Sequence, residues 1–462
     1  MFSKKAPKAT LFIRADASVA IGMGHVMRTL ALADRAKEHK IAVYYLCFSL
    51  PKALEEKIES VLELKYIDDA NEVIELAKIY NPFAIILDSY ALNANYEATL
   101  QKGTNATIVS YEDLNNKHSS DLIINPNIYA YSDKKDHLFG SEWAMLRKEF
   151  KQKFHKKSKN FTLSVTLGGS DEKNITATII QYLKKWHHPF TANIILGATN
   201  PHRHKIFQLI KSRKNFKLHL NPKNFASLLA ASDIVISASG QTTIEVLHLK
   251  KPSIAINAAD NQNAITQMLK EKKLALTLDT KHIKLFPRML NRFYAHRNRY
   301  KKNDIQIEKH SVLREIIATH LQDFSLEILK ESDCQELFIL ANEPLIRQMS
   351  LHSKPITALE HQSWCKKKFE ESIEIYIAKS KSGLFLGYVR FEHTVSIALS
   401  KFARGYSLSK RVLTLALTKT SKKSITAQIK HDNSASIQLF LACNFKKIDQ
   451  NSEYVTMQFE KS

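Results

Sequence analysis

The sequence predicts an α/β protein made of two consecutive doubly wound parallel sheets with a cleft between them, followed by a smaller α+β block. Three observations carry this. Short apolar runs alternate with helical stretches from Thr10 to about Phe150. The alternation breaks at a basic segment and restarts near Phe161, and beyond Ser325 it gives way to paired strands with helices between them. The expected blocks are residues 1–150, 151–322 and 323–462, in keeping with about three domains at roughly 150 residues each.

In the first block the strand LFIRA precedes a helix from about His25. Then come IAVYYLCF, a helix through NEVIELAKIY, FAIILDS, a helix near ANYEATLQK, and ATIVS. That rhythm is what a parallel sheet with crossover helices requires. KEFKQKFHKKSKN, Lys148 to Asn160, breaks it and reads as a linker. The second block runs FTLSVTLGGSD, a helix from about Thr176, TANIILG, FKLHL, ASLLAAS, DIVISASG, a helix from Thr242, and PSIAIN. The helical stretch HSVLREIIATHL leads into the third block. There we expect strand SLEIL, helices around DCQELFILANEPLIRQM and ALEHQSWCKKKFEE, strands IEIYIAKS, GLFLGYVRFE and TVSIALS, a helix from Tyr406, strand SITAQIK, helix SASIQLFLA and the ending EYVTMQFE.

The composition, 44% hydrophobic and 24% charged, is that of a soluble globular protein. After the first ten residues the apolar run is only LFI before Arg14, too short for a signal-peptide core, and no later run approaches the roughly 20 residues of a membrane span. We therefore expect a cytoplasmic protein with no membrane partner. Cys47, Cys334, Cys365 and Cys443 form no C-x-x-C pair and are expected to be packing residues in a reducing compartment. A net charge of +23 raises nucleic acid as a partner. The lysines are nevertheless spread out, as at Lys153 to Lys159, Lys211 to Lys217 and Lys422 to Lys430, without the aromatic interleaving of a single-strand binder. They read as solvated faces.

Gly22, Gly24, Gly168, Gly169, Gly197 and Gly240, six of eleven glycines, each follow an expected strand. That rim of an open α/β sheet is where ligands bind, and missing side chains let a ligand approach the backbone. Met27 occupies the third position of a would-be G-x-G-x-x-G, so a nicotinamide cofactor is not expected. His25 instead stands at a helix N-terminus with Arg28 one turn on, where the dipole disfavours imidazolium and leaves a ring able to act as general base. A helix-capping role without chemistry is the alternative. LGGSD, with Gly168, Gly169 and Ser170, and the turn Ser239, Gly240, Gln241, Thr242, Thr243 both present backbone N–H groups suited to phosphate. Glu245 is placed to accept hydrogen bonds from ribose hydroxyls. The competing view is a capped helix, with Ser239 or Thr242 as cap and Glu245 as its box partner.

Together these segments resemble the GT-B superfamily of nucleotide-sugar enzymes, whose domains are Rossmann-like. The pattern IRADAS-x-x-IG-x-GHVMR looks more narrowly like the UDP-sugar hydrolases of pseudaminic acid biosynthesis. LDSYAL, YEDL, DLIINPN, AMLRKEF, LGGSD, SASGQTTIE and DNQ extend the resemblance over about the first 320 residues. It implies metal-independent hydrolysis between the anomeric carbon and the nucleotide, without a cofactor. His25 would activate water, Gly168 to Ser170 and Ser239 to Thr243 would bind UDP, and Glu245 would meet the ribose. Asp16, Tyr90, Arg147, Asn261 and Gln262 would line the cleft on the sugar side, and Gly24 and Arg28 would also bind the substrate. A glycosyltransferase or a hydrolysing epimerase of the same superfamily is the alternative.

The third block resembles the GNAT acyltransferase fold. The family's anion loop reads RGYSLS here, Arg404 to Ser409, with serines for two glycines, and the helix after IKHDN keeps Asn433. The resemblance implies acetyl-CoA as a cosubstrate held by Arg404, Gly405, Ser407, Ser409 and Asn433, and a 4-amino UDP-sugar as acceptor. Phe440 stands where many members carry a proton-donating tyrosine, and a retained fold with a packing role is the competing view.

Overall fold

The computed structural model describes residues 9–17, 24–154, 160–168, 171–197, 200–296 and 305–461. Gly22, Gly169 and Ser170 lie outside the described residues. The first sheet comprises β1 (Thr10–Ala15), α1 (Gly24–Glu38), β2 (Ala42–Cys47), α2 (Lys52–Glu59), β3 (Glu63–Tyr66), α3 (Ala70–Tyr80), β4 (Ala84–Asp88), α4 (Ala94–Gly103), β5 (Thr107–Tyr111), β6 (Leu122–Asn125) and β7 (His137–Phe139). Its order is β3-β2-β1-β4-β5-β6-β7, all parallel. Strands β1, β4 and β5 are buried at every residue, as expected of a parallel sheet covered on both faces.

The second sheet follows the same plan. It contains β8 (Thr162–Thr166), α5 (Ile175–Lys184), β9 (Thr191–Leu196), α6 (Arg203–Ile210), β10 (Phe216–Leu220), α7 (Phe225–Ala231), β11 (Ile234–Ala238), α8 (Gln241–His248), β12 (Ser253–Asn257), α9 (Asn263–Glu271), β13 (Leu276–Asp279) and α10 (Phe286–His296). The order β10-β9-β8-β11-β12-β13 is again parallel throughout. In each sheet the strand order reverses between the first and fourth strands, and the crevice beyond their carboxyl ends is where ligands bind in open α/β sheets. The two doubly wound units are those the sequence predicts.

Packing does not respect the order of the blocks. Ala144, Leu146 and Phe150 share a core with Ile195, Ala226 and Val246 of the second sheet. Conversely, α11 (Val312–His320) returns to the first sheet, where Val312, Leu313 and Ile316 pack with Leu11, Val26 and Val109.

The remaining elements are β14 (Phe324–Ile328), α12 (Cys334–Ala341), α13 (Pro344–Met349), α14 (Ala358–Glu370), β15 (Glu374–Ser380), β16 (Phe385–Phe391), β17 (Val395–Leu399), α15 (Leu408–Lys419), β18 (Ser424–Lys430), α16 (Ser434–Ala442), β19 (Lys446–Gln450) and β20 (Tyr454–Glu460). They form antiparallel sheets β14-β15-β16-β17 and β18-β20-β19, the expected α+β organisation. Leu326, Val412 and Phe440 belong to the same continuous core as α11 and the first sheet. At that junction His320 is fully buried. Its Nδ1 lies 3.1 Å from Thr107 Oγ1 and its Nε2 3.1 Å from Ser382 Oγ, while Phe83 meets both His320 and Phe402 edge-on. Burial, helped by Lys381, pushes the His320 ring down to about 3.

The expectation that all four cysteines are unpaired is corrected for two of them. Cys334 and Cys365 are joined by a disulfide, with Cα atoms 6.4 Å apart. Their helices, α12 and α14, pack side by side, and His361 of α14 lies with Nε2 2.9 Å from the Cys334 carbonyl. A separation of 31 residues leaves no spacing signal in the sequence. Cys47 and Cys443 are buried free thiols. No described helix is long and apolar enough to cross a membrane.

Candidate active site

The carboxyl ends of the two sheets face a common cavity of about 400 Å³. On the first side, β1 is followed in the chain by α1, which carries His25 as its second residue. The neighbouring strand β4 ends in Asp88, across the switch point. His25 Nδ1 lies 2.5 Å from Asp88 Oδ1. Burial alone would push the Asp88 carboxyl up, but Arg28 and His25 overcome this and hold it well below the usual carboxylate range. An ionised carboxylate can only accept, so Nδ1 carries a proton, and in the neutral ring Nε2 is then the acceptor. Among the described residues the His25 side chain bonds to no backbone N–H, so nothing there gives it the capping role.

Arg28 organises this side. Its Nε and Nη2 donate to the two oxygens of Asp88 at 2.7 and 2.6 Å, and its Nη1 and Nη2 donate to Asp113 at 3.0 and 2.7 Å. The guanidinium lies over the Tyr111 ring. Burial works against its charge, but Asp113 and Asp88 raise its pKa well above the ordinary value. Asp113 also accepts from Asn127 Nδ2 at 3.0 Å and from Tyr90 Oη at 3.3 Å. The loop presenting Asp113 is wound around Glu112, whose carboxylate accepts the N–H groups of Leu114, Asn115 and Asn116. His118 braces that loop between Glu97 and Glu112, and those carboxylates, Glu97 foremost, raise its pKa. Tyr90 stands edge-on to His25 with ring centroids 4.4 Å apart.

The second side is built on α8. Its N-cap is Gly240, and no side chain caps it. Neither Ser239 nor Thr242 is the cap the competing view requires. Ser239 is fully buried, and its hydroxyl has no hydrogen-bond partner among the described residues. The first N–H groups of α8 therefore open into the cavity, a place suited to an anion. The turn after β8 differs. Gly168 lines the cavity with φ of +87°, but the N–H groups of Ile175 and Thr176 at the start of α5 are taken by Asp171 at 2.9 and 3.0 Å. Of the two expected phosphate turns, one presents an uncapped helix and the other a helix already capped by a carboxylate.

Glu245 is buried in α8 and receives both Nε and Nη2 of Arg147, at 2.7 and 3.0 Å. Burial pushes its carboxyl up against the pull of Arg147. Arg147, expected on the sugar side, thus lies with the residue expected at the ribose, and its guanidinium sits against Phe150 and Phe225. This follows from residues 144–150 packing on the second sheet.

Gly24, His25, Arg28, Tyr90, Arg147, Gly168, Ser239, Gly240, Thr242, Glu245, Asn261 and Gln262 all line the cavity. Asp16 and Thr243 do not. Asp16 pairs with Arg14 at 2.5 Å and accepts from the N–H groups of Phe48 and Ser49 and from Ser89 Oγ, so its oxygens tie together the loops after β1, β2 and β4. The Thr243 hydroxyl turns back to the Ala238 carbonyl. Asp88, Asp113 and Asn127 were missed as site residues. The available signal was a carboxylate ending a buried parallel strand, in the motif LDSYAL.

In the last block, α15 starts after Ser407 without a side-chain cap, and Gly405 and Ser407 have φ of +85° and +55°. Arg404 is paired with Glu343 at 2.5 Å. Asn433 caps α16 by accepting from the Ser436 N–H, which occupies the side chain expected at acetyl-CoA. Ser409 is half-buried in the first turn of α15, and Phe440 is buried in the core.

No protein-family model matches the chain. It is 27% identical to the UDP-2,4-diacetamido-2,4,6-trideoxy-beta-L-altropyranose hydrolase of Campylobacter jejuni, over 57% of this chain and 96% of that protein. It is 22% identical to an uncharacterized protein of Methanocaldococcus jannaschii, over 95% of this chain and 97% of that one. Among solved structures, MurG of Acinetobacter baumannii aligns over 66% of this chain and 96% of its own, with a TM-score of 0.48 at 13% identity. Spermidine N-acetyltransferase of Vibrio cholerae aligns over 30% of this chain and 96% of its own, with a TM-score of 0.27 at 13% identity. A distant homologue of the chain is thus a UDP-sugar hydrolase.

Proposed function

We propose that the protein hydrolyses UDP-2,4-diacetamido-2,4,6-trideoxy-β-L-altropyranose to UDP and the free diacetamido sugar. The observation that carries the reading is a histidine–carboxylate pair on one side of a cavity whose other side is an uncapped helix start. Water attacks the anomeric carbon, its proton passes to His25 Nε2, and the bonding pair leaves on the β-phosphate oxygen. Asp88 holds the ring and opposes the charge it gains, as the third group does in nucleophile-activating triads. Arg28 and Asp113 position Asp88. The N–H groups at Gln241 and Thr242 and the Ser239 hydroxyl receive the diphosphate, which needs its charge stabilised more than it needs a proton. Glu245 keeps lone pairs for a ribose hydroxyl beside its bonds to Arg147. Tyr90, Asn261 and Gln262 face the sugar.

The test is turnover of that UDP-sugar in oxygen-18 water, without acceptor or added metal. Label is expected in the released sugar and none in UDP. UDP formed only when an acceptor is supplied would instead mean a glycosyltransferase.

A second reading concerns the last block, where the uncapped start of α15 after two left-handed residues favours an anion. Its residues fit the pyrophosphate of acetyl-CoA at Gly405, Ser407 and Ser409, and the thioester would supply the acetyl group for a 4-amino UDP-sugar. This chain has no hydroxyl at Phe440 to protonate the departing thiolate. Acetyl-CoA consumption dependent on the 4-amino sugar nucleotide is the expected result. None at all would leave the block its packing role.

A further inference from the structure

Among the described residues three Lys or Arg side chains line the cavity: Arg28, Lys57 and Arg147. Two are neutralised. Arg28 is spent on Asp88 and Asp113, and Arg147 on Glu245 and on Glu149 at 3.0 Å. Lys57 is different. Among the described residues its one hydrogen-bond contact is the thioether Sδ of Met27 at 3.7 Å, a weak acceptor, and no carboxylate lies within ion-pair distance of it. Glu149 and Asp34 are near enough to favour its charge, whereas burial and Arg147 disfavour it and lower its pKa.

The Lys57 side chain is exposed at the cavity, but the helix that carries it is fixed. Lys57 belongs to α2, which is pinned to the first core by Leu54 and Ile58, 4% and 0% exposed. Leu54, one turn earlier, lines the same cavity, so α2 turns this face to the cleft. Met27, under the ammonium, is two residues beyond His25. A cation without an ion-pair partner thereby shares the cavity with the base, and among the described residues the far side presents backbone N–H groups but no unpaired Lys or Arg.

We propose that Lys57 is a ligand of the nucleoside diphosphate from the first sheet, binding the phosphate next to the scissile bond. The inference rests on the nucleotide-sugar reading above and adds to it a residue of the other wall. As the carbon–oxygen bond breaks and its electron pair moves onto the phosphate oxygen, Lys57 donates N–H hydrogen bonds to that growing charge and keeps its own protons. The α8 start supplies partial charges and Lys57 a whole one, so a nucleotide seated on the second sheet is drawn towards the wall that holds His25.

The experiment compares UDP and uridine binding to the full-length protein by calorimetry for wild type, Lys57→Met, Lys57→Arg and Lys52→Met, the last an exposed lysine of the same helix. Lys57→Met is expected to weaken UDP about tenfold, the worth of one charge-assisted hydrogen bond, while uridine stays within about twofold. Lys57→Arg should retain most UDP affinity, and Lys52→Met all of it. The difference should shrink as salt is raised. Wild-type UDP affinity in Lys57→Met overturns the proposal and leaves the nucleotide reading intact, and so does an equal loss for UDP and uridine. A folded wild type that binds neither compound overturns the nucleotide reading itself, and this inference with it.

Discussion

At Asp88 two donors share one carboxylate: Oδ1 faces both His25 Nδ1 and Arg28 Nη2, and Oδ2 receives Arg28 Nε. The geometry makes a specific demand on chemistry. An amide at this position could present its N–H to Nδ1, turn the ring to its other tautomer and leave Nε2 protonated and unable to accept. Asp88→Asn should therefore lower kcat by about 10³–10⁴-fold, as expected when a base loses its orienting carboxylate, with UDP binding little changed. His25→Ala should do at least as much. Retention of kcat within about tenfold in Asp88→Asn would remove the dyad from the mechanism. His25 could be picked out in the sequence because two glycines and a helix start surround it. Asp88 could not be assigned, since its partner is 63 residues away and only the switch-point topology brings β1 and β4 together. Asp16 misled for a related reason. A carboxylate at a strand end looks alike in sequence whether it faces a ligand or, as here, the N–H groups of the next loop.

Among elements, the two helix starts on the second side separate binding from folding. Gly168 has a left-handed backbone with open space where a Cβ would stand, so Gly168→Ala should cost about 1–2 kcal/mol of stability through backbone strain alone. Gly240 has φ of −144°, which any residue adopts, and equally open space. A methyl there fills the cavity and not the core. Gly240→Ala should leave the melting temperature unchanged and weaken UDP. The opposite pattern, an intact site in a destabilised protein, would show that α8 does not meet the phosphates. The main strands were legible because each is a short, largely apolar run between turn residues. By contrast α2 and β3 were missed, because one is an eight-residue helix entered through Pro51 without a side-chain cap and the other a partly exposed edge strand. Lys57 was lost with them.

For the whole molecule the informative group is His320, held between the first sheet and the last block. Its folded pKa, about 3, lies below the ordinary value near 6.5, so the unfolded chain binds the extra proton first. Its contribution is fully present above about pH 6.5 and is lost as pH falls towards 3. Acidification from pH 6.5 to 5 should remove about 2 kcal/mol through this group. His320→Gln, which keeps hydrogen-bonding capacity for Thr107 and Ser382 but cannot be charged, should flatten the loss. An unchanged pH profile would place the acid-sensitive group elsewhere. The sequence shows three blocks in series but not which of them share a core, because α11 looks like any amphipathic helix until its neighbours are known.

That shared core bears on how this gene can change. A stop codon after residue 322 would uncover the face of α11 and the Phe83 ring that Phe402 and Val412 now shield, leaving an oily wound beside the first sheet. The last block therefore keeps the first sheet covered whatever chemistry it performs. Phe440, buried in that same core, contributes to this cover through its ring alone.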